Sequence, residues 1–472
     1  MADDHPFFSR SPLLLAPRFL ADLSLQFDEF TTPVHAEKAC SSKPEDARVG
    51  SLALTRSSTV IGSTAQQVFS LDRLGTLLWR HDPYGNGEKG KTCSYFSDPI
   101  VGLNQTTFVT TSTVSFGETV PFRVHALHRD GTPRWIFDQP TGKNDSANGQ
   151  CSPPTLGSDG KVLWFGCGVA DGKVTLTALD TDEGIEFASH DFTEAKGAKT
   201  DYVAEVMVSE RNPKLLFFTT RYSFFGCTID GHMKLDDCWH IDLPTSEPYR
   251  LAEPEAKDAE DLIFLYDYKD EENVMATVSI KDKKLKGKPV SIGTKAKPSP
   301  GSALVREDRV FVITDETVQA LDDADLKSTW SSNSTLVGIK SGLALSDSEL
   351  FAYTGNGLYV IENVDKTKPN AEAVKVPSTA VGDPIKLNTF TEPVLAGTKN
   401  PTLIISSNNA VASFHRNIKT THTEAAINHD PAMSGGTIAA IAVFSSLIGS
   451  ALFAGIYFYN TQRPGQDRLP LI

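Results

Sequence analysis

The chain has 472 residues and a formal net charge of −14, with 45 Lys and Arg against 59 Asp and Glu. An acidic chain of this kind argues against nucleic acid as a partner, because that affinity comes largely from basic side chains that neutralise phosphates. The 26 Phe, 11 Tyr and 5 Trp exclude disorder for most of the chain, since so much apolar surface has to be buried. The length accommodates up to about three domains or one large β architecture.

Residues 1–49 form an N-terminal segment without a clear signal peptide. Asp3 and Asp4 stand where a signal peptide has basic residues, and the apolar run from Pro12 to Pro17 is short and is followed by Arg18. Two topologies therefore stay open. Either a leader is absent from this sequence and the following domain is lumenal, or the chain inserts by a C-terminal helix and that domain is cytosolic.

The cysteines are even in number and all precede the last quarter of the chain. Their spacing suggests two local staples of hairpins or loops, which leaves a third pair: Cys151/Cys167, Cys227/Cys238 and Cys40/Cys93. Disulfides at these positions would indicate an oxidising lumen. Glycosylation candidates stand at three Asn-x-Ser/Thr sites, a number that chance alone would give: Asn104, Asn144 and Asn333.

Residues 50–415 repeat one short motif. The segments Ser70–Trp79 and Ala126–Trp135 share one spacing, and Ala178–Ala188 and Ala320–Trp330 share a form that is one residue longer. Weaker copies centre on Gly226, Ala276, Tyr359 and Ala410, so that copies lie 39 to 56 residues apart. Strand-like runs such as RVFVIT, ELFAYT and TLIIS precede the later copies and end in turn residues, which indicates β-hairpins. A period near 50 with several strands per unit predicts a β-propeller.

The pattern Ala-x-Asp-x-x-x-Gly-x-x-x-Trp resembles the repeat of the pyrroloquinoline-quinone (quinoprotein) β-propeller family. The resemblance implies an all-β fold with eight blades, or seven as the alternative. In such a repeat the Ala lies on a crowded inner strand, the Asp and Gly make a turn, and the Trp docks between adjacent blades. The resemblance therefore implies structural roles for six residues: Trp79, Trp135, Trp330, Asp72, Asp180 and Asp322.

Quinoprotein dehydrogenases hold their cofactor against a disulfide of adjacent cysteines, beside a calcium ion. This sequence contains no Cys-Cys pair and no Cys-x-x-Cys-His haem site. We therefore expect a non-catalytic relative without cofactor or metal, and keep a degenerate quinoprotein-type enzyme as a third hypothesis. His232 and His240 flank Cys238 in a spacing that could suggest a metal site, but a disulfide between Cys238 and Cys227 explains the cysteine as well.

A transmembrane helix is predicted at residues 437–459, after a polar stalk at residues 416–436. No charged side chain occurs between Asp430 and Arg463, and Thr437 to Tyr459 is apolar throughout. A helix of this length spans about 35 Å, which is enough to cross a hydrocarbon core of about 30 Å. Arg463 and Arg468 follow the segment, so the positive-inside rule favours a cytoplasmic C-terminus.

The tail at residues 460–472 ends in Asp-Arg-Leu-Pro-Leu-Ile, which looks like the acidic dileucine sorting signal that clathrin adaptor complexes bind. Its defining residues are Asp467, Leu471 and Ile472. An extended peptide of this kind places a carboxylate on a basic patch and two aliphatic side chains in an apolar pocket.

These features together predict a single-pass type I membrane glycoprotein of the lysosomal, late endosomal or vacuolar membrane. Its lumenal propeller would be a binding platform for an unidentified protein or ligand, with membrane lipid around the helix and clathrin adaptors on the tail. The rival hypothesis is a tail-anchored protein whose propeller is a cytosolic scaffold.

Overall fold

Eight small antiparallel sheets make up the part of the chain that the computed structural model describes, namely residues 26–33 and, with gaps, residues 52–417. These residues belong to the first of two units into which the chain divides, Met1–Ile418 and Lys419–Ile472. Within the described ranges no helix has the length and apolar character needed to cross a membrane. The predicted stalk, transmembrane helix and sorting tail lie outside those ranges, except that Arg416 and Asn417 end a strand.

The sheets are numbered I to VIII in chain order, and each is built mainly from consecutive strands. Sheet I contains Ala53–Leu54, Val60–Ser63, Val68–Leu71 and Leu77–His81. Sheet II contains Thr92–Phe96, Ile100–Val101, Thr107–Ser115, Phe122–Leu127 and Pro133–Gln139. Sheet III contains Thr155–Leu156, Val162–Val169, Lys173–Asp180 and Glu186–Thr193. Sheet IV contains Val203–Val208, Leu215–Thr220, Ser223–Ile229 and Leu235–Asp242.

The second half of the chain continues the same plan. Sheet V contains Arg250–Ala252, Leu262–Tyr268, Glu272–Ser279, Lys284–Leu285 and Val290–Thr294. Sheet VI contains Leu304–Arg306, Arg309–Thr314, Thr317–Asp322 and Ser328–Ser331. Sheet VII contains Ile339–Leu345, Glu349–Thr354, Gly357–Glu362 and Val374–Lys375. Sheet VIII contains Val394–Ala396, Thr402–Ser406, Ala410–Asn417 and Gln26–Pro33.

The middle strands of the sheets are apolar on both faces. In Arg309–Thr314, Val310 and Val312 pack towards sheet V, whereas Phe311 and Ile313 pack towards sheet VII. Side chains alternate between the two faces of a strand, so a strand that is buried on both faces is continuously apolar rather than alternating. The outer strands differ, because most of the side chains of Leu77–His81 and Leu235–Asp242 are partly or fully exposed.

Eight apolar clusters join each described sheet to the next one in the series, and the last of them joins sheet VIII back to sheet I. In that closing cluster, Phe69 and Leu52 of the sheet I region pack with Ile404 of sheet VIII. The N-terminal strand Gln26–Pro33 also pairs antiparallel along the whole of Ala410–Asn417. The sequence pattern had not indicated a strand at these N-terminal residues. Both ends of the described chain are thereby built into one sheet.

Tryptophan side chains fasten one sheet to the turn of the next. Trp79 of sheet I lies on Gly131 in sheet II, and Trp135 of sheet II lies on Gly184 in sheet III. A Cβ atom at either glycine would come within 2.6 Å of the ring. Each indole N–H also donates to a backbone carbonyl of the turn that it covers, at 2.7 Å from Trp79 and 3.1 Å from Trp135. Both tryptophans are partly buried.

Aspartates hold the turns of the repeat motif. Asp72 and Asp180 accept backbone N–H groups of their own turns at 2.7 to 2.8 Å, and the carbonyl of Asp322 accepts the N–H of Leu326 at 2.9 Å. The glycines of these turns have positive φ, which glycine adopts without steric cost. Leu326 takes the same left-handed conformation, with φ of 56°. Its side chain is 6% exposed and packs between sheets V and VI, and this burial offsets the backbone cost.

Two disulfides are present in the described residues, at Cys151–Cys167 and Cys227–Cys238. Both are local, as the spacing predicted: Cys151 forms an isolated bridge to the strand Val162–Val169 of sheet III, which contains Cys167, and Cys227 and Cys238 lie on neighbouring strands of sheet IV. The disulfide at Cys238 also removes that thiol from the metal site considered above. Cys40 lies outside the described residues, and only the backbone of Cys93, in the strand Thr92–Phe96, is described.

We predict that Gly131→Ala destabilises the protein more than Gly287→Ala does. Both glycines have φ near 85°, but only Gly131 lies under an indole ring, whereas the space around Gly287 is open. Backbone strain alone costs about 1–2 kcal/mol, and the steric clash with Trp79 adds about 1–3 kcal/mol. The free energy of unfolding in urea measures the difference.

A double variant separates the clash from the strain. In a Trp79→Ala background, Gly131→Ala is expected to cost no more than Gly287→Ala, because the ring that it meets is gone. An unchanged cost in that background would show that Trp79 does not determine the glycine at position 131.

Candidate functional site

A cavity of about 750 Å³ opens beside the strands Ile100–Val101, Thr155–Leu156, Val203–Val208 and Arg250–Ala252 of sheets II to V. Its wall is formed by residues of these strands, by residues that follow them and by Leu304 at the start of Leu304–Arg306 in sheet VI, so five consecutive sheets contribute to it. The apolar part of the wall includes Leu103, Leu156, Met207 and Leu304. A concave, mostly apolar site with a few polar groups is the usual form of a binding site for a small organic molecule or a short peptide segment.

The polar part of the wall is the turn after the first strand of sheet IV. The buried Ser209 hydroxyl donates to one carboxylate oxygen of Glu253 at 2.6 Å, and the Glu210 N–H donates to the other at 2.9 Å. The Ser209 hydroxyl oxygen also accepts the N–H of Asn212 at 2.9 Å. Both oxygens of Glu253, which follows the first strand of sheet V, are therefore engaged in holding this turn in place.

A second carboxylate ties the same two sheets together. Glu205 of Val203–Val208 accepts the backbone N–H of Leu251 at 2.7 Å. Hydrogen bonds to charged groups are stronger than those between neutral groups, so Glu205 and Glu253 fix the relative position of the first strands of sheets IV and V. The turn at the cavity is thus a rigid support for the side chains that it carries.

Arg211 is the basic side chain on this turn, and it borders the cavity. Its Nη1 and Nη2 atoms are shielded from solvent and have no hydrogen-bond partner. Nor does Arg211 belong to any ion pair found among the described residues. A guanidinium group carries five N–H donors and stays charged, so it leaves here an unused positive charge and unused donors beside an apolar cavity.

The sequence-predicted residues lie elsewhere. Trp79, Trp135 and Trp330 occupy three different contacts between sheets, with Trp330 packed in the cluster between sheets VI and VII, and they do not converge on the cavity. Asn104 is exposed on the turn that follows Leu103; its side-chain oxygen accepts the Thr106 N–H at 3.1 Å. The remaining site predictions fall outside the described residues: Asn144, Asn333, Asp467, Leu471 and Ile472.

Sequence reasoning missed Ser209, Arg211 and Glu253. These residues belong to no repeat motif, and Glu253 comes from a different sheet from the other two. Only the spatial neighbourhood of the turns reveals that they share one site. In the part of the chain that the structure describes, no group of three or more His, Cys, Asp or Glu side chains is placed to hold a metal ion.

Two histidines form a separate polar contact between sheets I and II. The rings of His81 and His125 lie 6.0 Å apart, and the ring of Phe96 lies 5.8 Å from that of His125. His125 is fully buried; its Nε2 atom lies 3.4 Å from the Thr111 hydroxyl, while its Nδ1 atom and Nε2 of His81 have no hydrogen-bond partner. Burial lowers the pKa of both histidines, that of His125 to about 3, with additional lowering by His81 and Arg123.

Comparisons with solved structures agree with a β-propeller. The chain is similar to BamB from Moraxella catarrhalis at 14% identity, covering 66% of this chain and 83% of that one with a TM-score of 0.45. It is similar to the Dos1 propeller at 10% identity, covering 82% and 95% with a TM-score of 0.46. Saccharomyces cerevisiae Sqt1 gives 12% identity, 84% and 99% coverage and a TM-score of 0.50. Such low identities concern the fold alone.

No protein-family model and no curated protein sequence matches the chain. The eight antiparallel sheets and the structural neighbours therefore establish an all-β propeller fold, as the repeat spacing predicted. The function has to be argued from the site.

The buried histidine gives a pH prediction. Because the pKa of His125 is about 3 in the folded protein and about 6.5 in the unfolded chain, its contribution to stability is complete above pH 6.5. That contribution is lost as the pH falls from 6.5 towards 3, since the unfolded chain then binds a proton that the folded protein excludes. The free energy of unfolding should fall by up to about 1.4 kcal/mol per pH unit for this one group.

Urea unfolding of the wild type and of His125→Leu at pH values from 7 to 4 tests this prediction. In His125→Leu, the free energy of unfolding should fall less steeply with falling pH than in the wild type, because the contribution of His125 is gone. This holds whatever the stability of the variant at pH 7. A matched variant of the exposed His128, His128→Gln, should keep the wild-type slope. Equal slopes in the wild type and His125→Leu would contradict the assignment.

Proposed function

We propose that this protein is a non-catalytic, single-pass membrane protein of the endolysosomal or vacuolar system, whose lumenal propeller is a binding platform. The observation that carries the binding role is the cavity of about 750 Å³ to which five consecutive sheets contribute. A wall built from several rigid sheets holds its shape, and a preformed concave site binds without a large cost of ordering.

The proposal includes eight blades. Eight sheets in the described residues, and eight apolar clusters that join them in series and back to the first, support that count. A seven-bladed propeller would require two of these sheets to form a single blade, whereas each sheet has its own separate pairing of four or five strands.

The two disulfides support a lumenal propeller. Disulfides persist in oxidising compartments and are rare in the reducing cytosol. Cys151–Cys167 ties a preceding segment to sheet III, and Cys227–Cys238 joins adjacent strands of sheet IV, so they stabilise the two sheets from which much of the cavity wall is made.

The absence of catalysis is proposed from the sequence. The adjacent cysteines and the haem motif of quinoprotein dehydrogenases do not occur in it. The apolar segment at residues 437–459 and the Asp467, Leu471 and Ile472 tail provide the membrane anchor and the signal for clathrin adaptors in this proposal.

Protease protection in intact vesicles tests the compartment. We expect the propeller to resist added protease until detergent is present, whereas an epitope at the C-terminus should be removed at once. A propeller that is digested in sealed vesicles, together with a protected C-terminus, would establish the tail-anchored alternative. Peptide mapping without reductant should find both described disulfides in the lumenal case and free thiols in the cytosolic case.

The sorting role has its own test. Replacing Leu471 and Ile472 by Ala removes both aliphatic anchors, so the adaptor should no longer bind and the protein should accumulate at the cell surface. Replacing Gln462 and Gln466 by Ala, in the same tail but outside the motif, is the matched control and should leave the distribution unchanged. Unaltered endolysosomal or vacuolar localisation of the Leu471/Ile472 variant would refute the sorting proposal.

A further inference from the structure

We propose that the cavity binds an organic carboxylate with an apolar body, and that Arg211 is the residue that binds the carboxylate. This inference rests on the proposed binding role and specifies the class of ligand.

The charge of Arg211 is not neutralised within the described residues. Its two terminal nitrogen atoms are shielded from water and have no hydrogen-bond partner. A cation with unsatisfied N–H donors and no ion pair is unfavourable, because it has lost hydrogen bonds to water and has not replaced them with hydrogen bonds to the protein. An arrangement that costs stability and has no structural benefit is typical of a functional site.

The carboxylates nearest in sequence and on the cavity wall do not serve as partners for Arg211. Glu253 uses both oxygens on Ser209 and on the Glu210 N–H, and the Glu210 side chain is exposed. The carboxylate that fixes the turn is therefore engaged with Ser209 and Glu210 and not with Arg211. In this proposal a change of rotamer turns the guanidinium from the wall to the ligand, and the several rotatable bonds of the Arg211 side chain allow that change.

The surroundings select the chemistry of the ligand. A single guanidinium carries one positive charge and matches a monoanionic carboxylate with two parallel hydrogen bonds. A dianionic phosphate would bring excess negative charge close to Glu210 and Glu253 on the same wall. The apolar side chains Leu103, Leu156, Met207 and Leu304 suit a hydrocarbon or aromatic body attached to that carboxylate.

The experiment uses 4-phenylbutyrate as the probe and the full chain in lipid nanodiscs. Ligand-observed NMR titration measures its affinity for the wild type, Arg211→Met, Arg211→Lys and a matched control, Arg56→Met. Arg56 is exposed on the turn after the first strand of sheet I, which corresponds to the turn that carries Arg211 but does not border the cavity. The neutral analogue 4-phenylbutan-1-ol reports on the apolar part of the site alone.

We expect saturable binding of 4-phenylbutyrate to the wild type and to Arg56→Met. Binding should be about tenfold or more weaker in Arg211→Met and intermediate in Arg211→Lys, because lysine keeps the charge but loses the paired donors. The alcohol should bind the wild type and Arg211→Met equally. Equal affinity of the carboxylate for wild type and Arg211→Met would overturn the proposal, as would the absence of saturable binding to the wild type.

A variant that fills the cavity keeps the test independent of the Arg211 variants. Gly157 lies on the wall, and a Cβ added there makes only ordinary contacts, the nearest at 3.6 Å. Gly157→Phe should weaken the binding of both the carboxylate and the alcohol. Unchanged binding of both would place the probe outside the cavity and overturn the inference.

Two outcomes separate this inference from the proposed function. Tighter binding of 3-phenylpropylphosphonate than of 4-phenylbutyrate would overturn the carboxylate assignment, while a ligand site in the cavity would stand. A cytosolic propeller in the protease-protection experiment would refute the lumenal proposal without changing any affinity in nanodiscs.

Discussion

Every sheet of this protein has to be covered on both faces, and most of the architecture follows from that constraint. A middle strand such as Arg309–Thr314 presents apolar side chains in both directions, so the sheet is stable only between two neighbours. An open row of such sheets would leave one apolar face exposed at each end. The chain avoids this cost by packing sheet VIII on sheet I and by giving sheet VIII a strand from the N-terminal segment. The ring thereby ties together the two ends of the described chain.

The tryptophans add specificity to this apolar packing. Apolar contact between sheets tolerates small shifts, whereas an indole ring that lies directly on a glycine, with its N–H on a carbonyl of the same turn, fixes one register. The contact repeats between sheets I and II and between sheets II and III. Other sheets use other devices: the Phe218 and Phe225 rings stack at 4.5 Å in sheet IV, and Leu326 fills the contact between sheets V and VI. The sheets are alike in plan and differ in how each contact is fixed.

The same arrangement creates the cavity. Outer strands are fastened to their neighbours by large side chains. Several strands at the cavity are short, and the residues around them leave space between the sheets: Ile100–Val101, Thr155–Leu156 and Arg250–Ala252. The carboxylates of Glu205 and Glu253 hold two of the strands at the cavity in place from the inside. Arg211 is thereby left on a rigid turn with its charge unused. The geometry that stabilises the wall and the charge that would bind a ligand therefore belong to one short segment of the chain.

The all-β class, the repeat, the local disulfides and the Gly–Trp spacing were predictable from the amino-acid sequence alone. Each of these depends on neighbours within a hairpin or on a regular period, and alternation and turn chemistry report both directly. Tertiary structure decided the rest. The residues of Gln26–Pro33 do not indicate that this strand pairs with Ala410–Asn417. The pairing joins distant segments and depends on the packing of sheet VIII against sheet I, which closes the ring of sheets. Leu326 adopts a glycine-like conformation because burial between two sheets outweighs its backbone preference. The site contains residues from two sheets, Ser209 and Arg211 from sheet IV and Glu253 from sheet V. They come together only because segments of separate repeats line the same cavity, so the sequence of a single repeat could not predict the site.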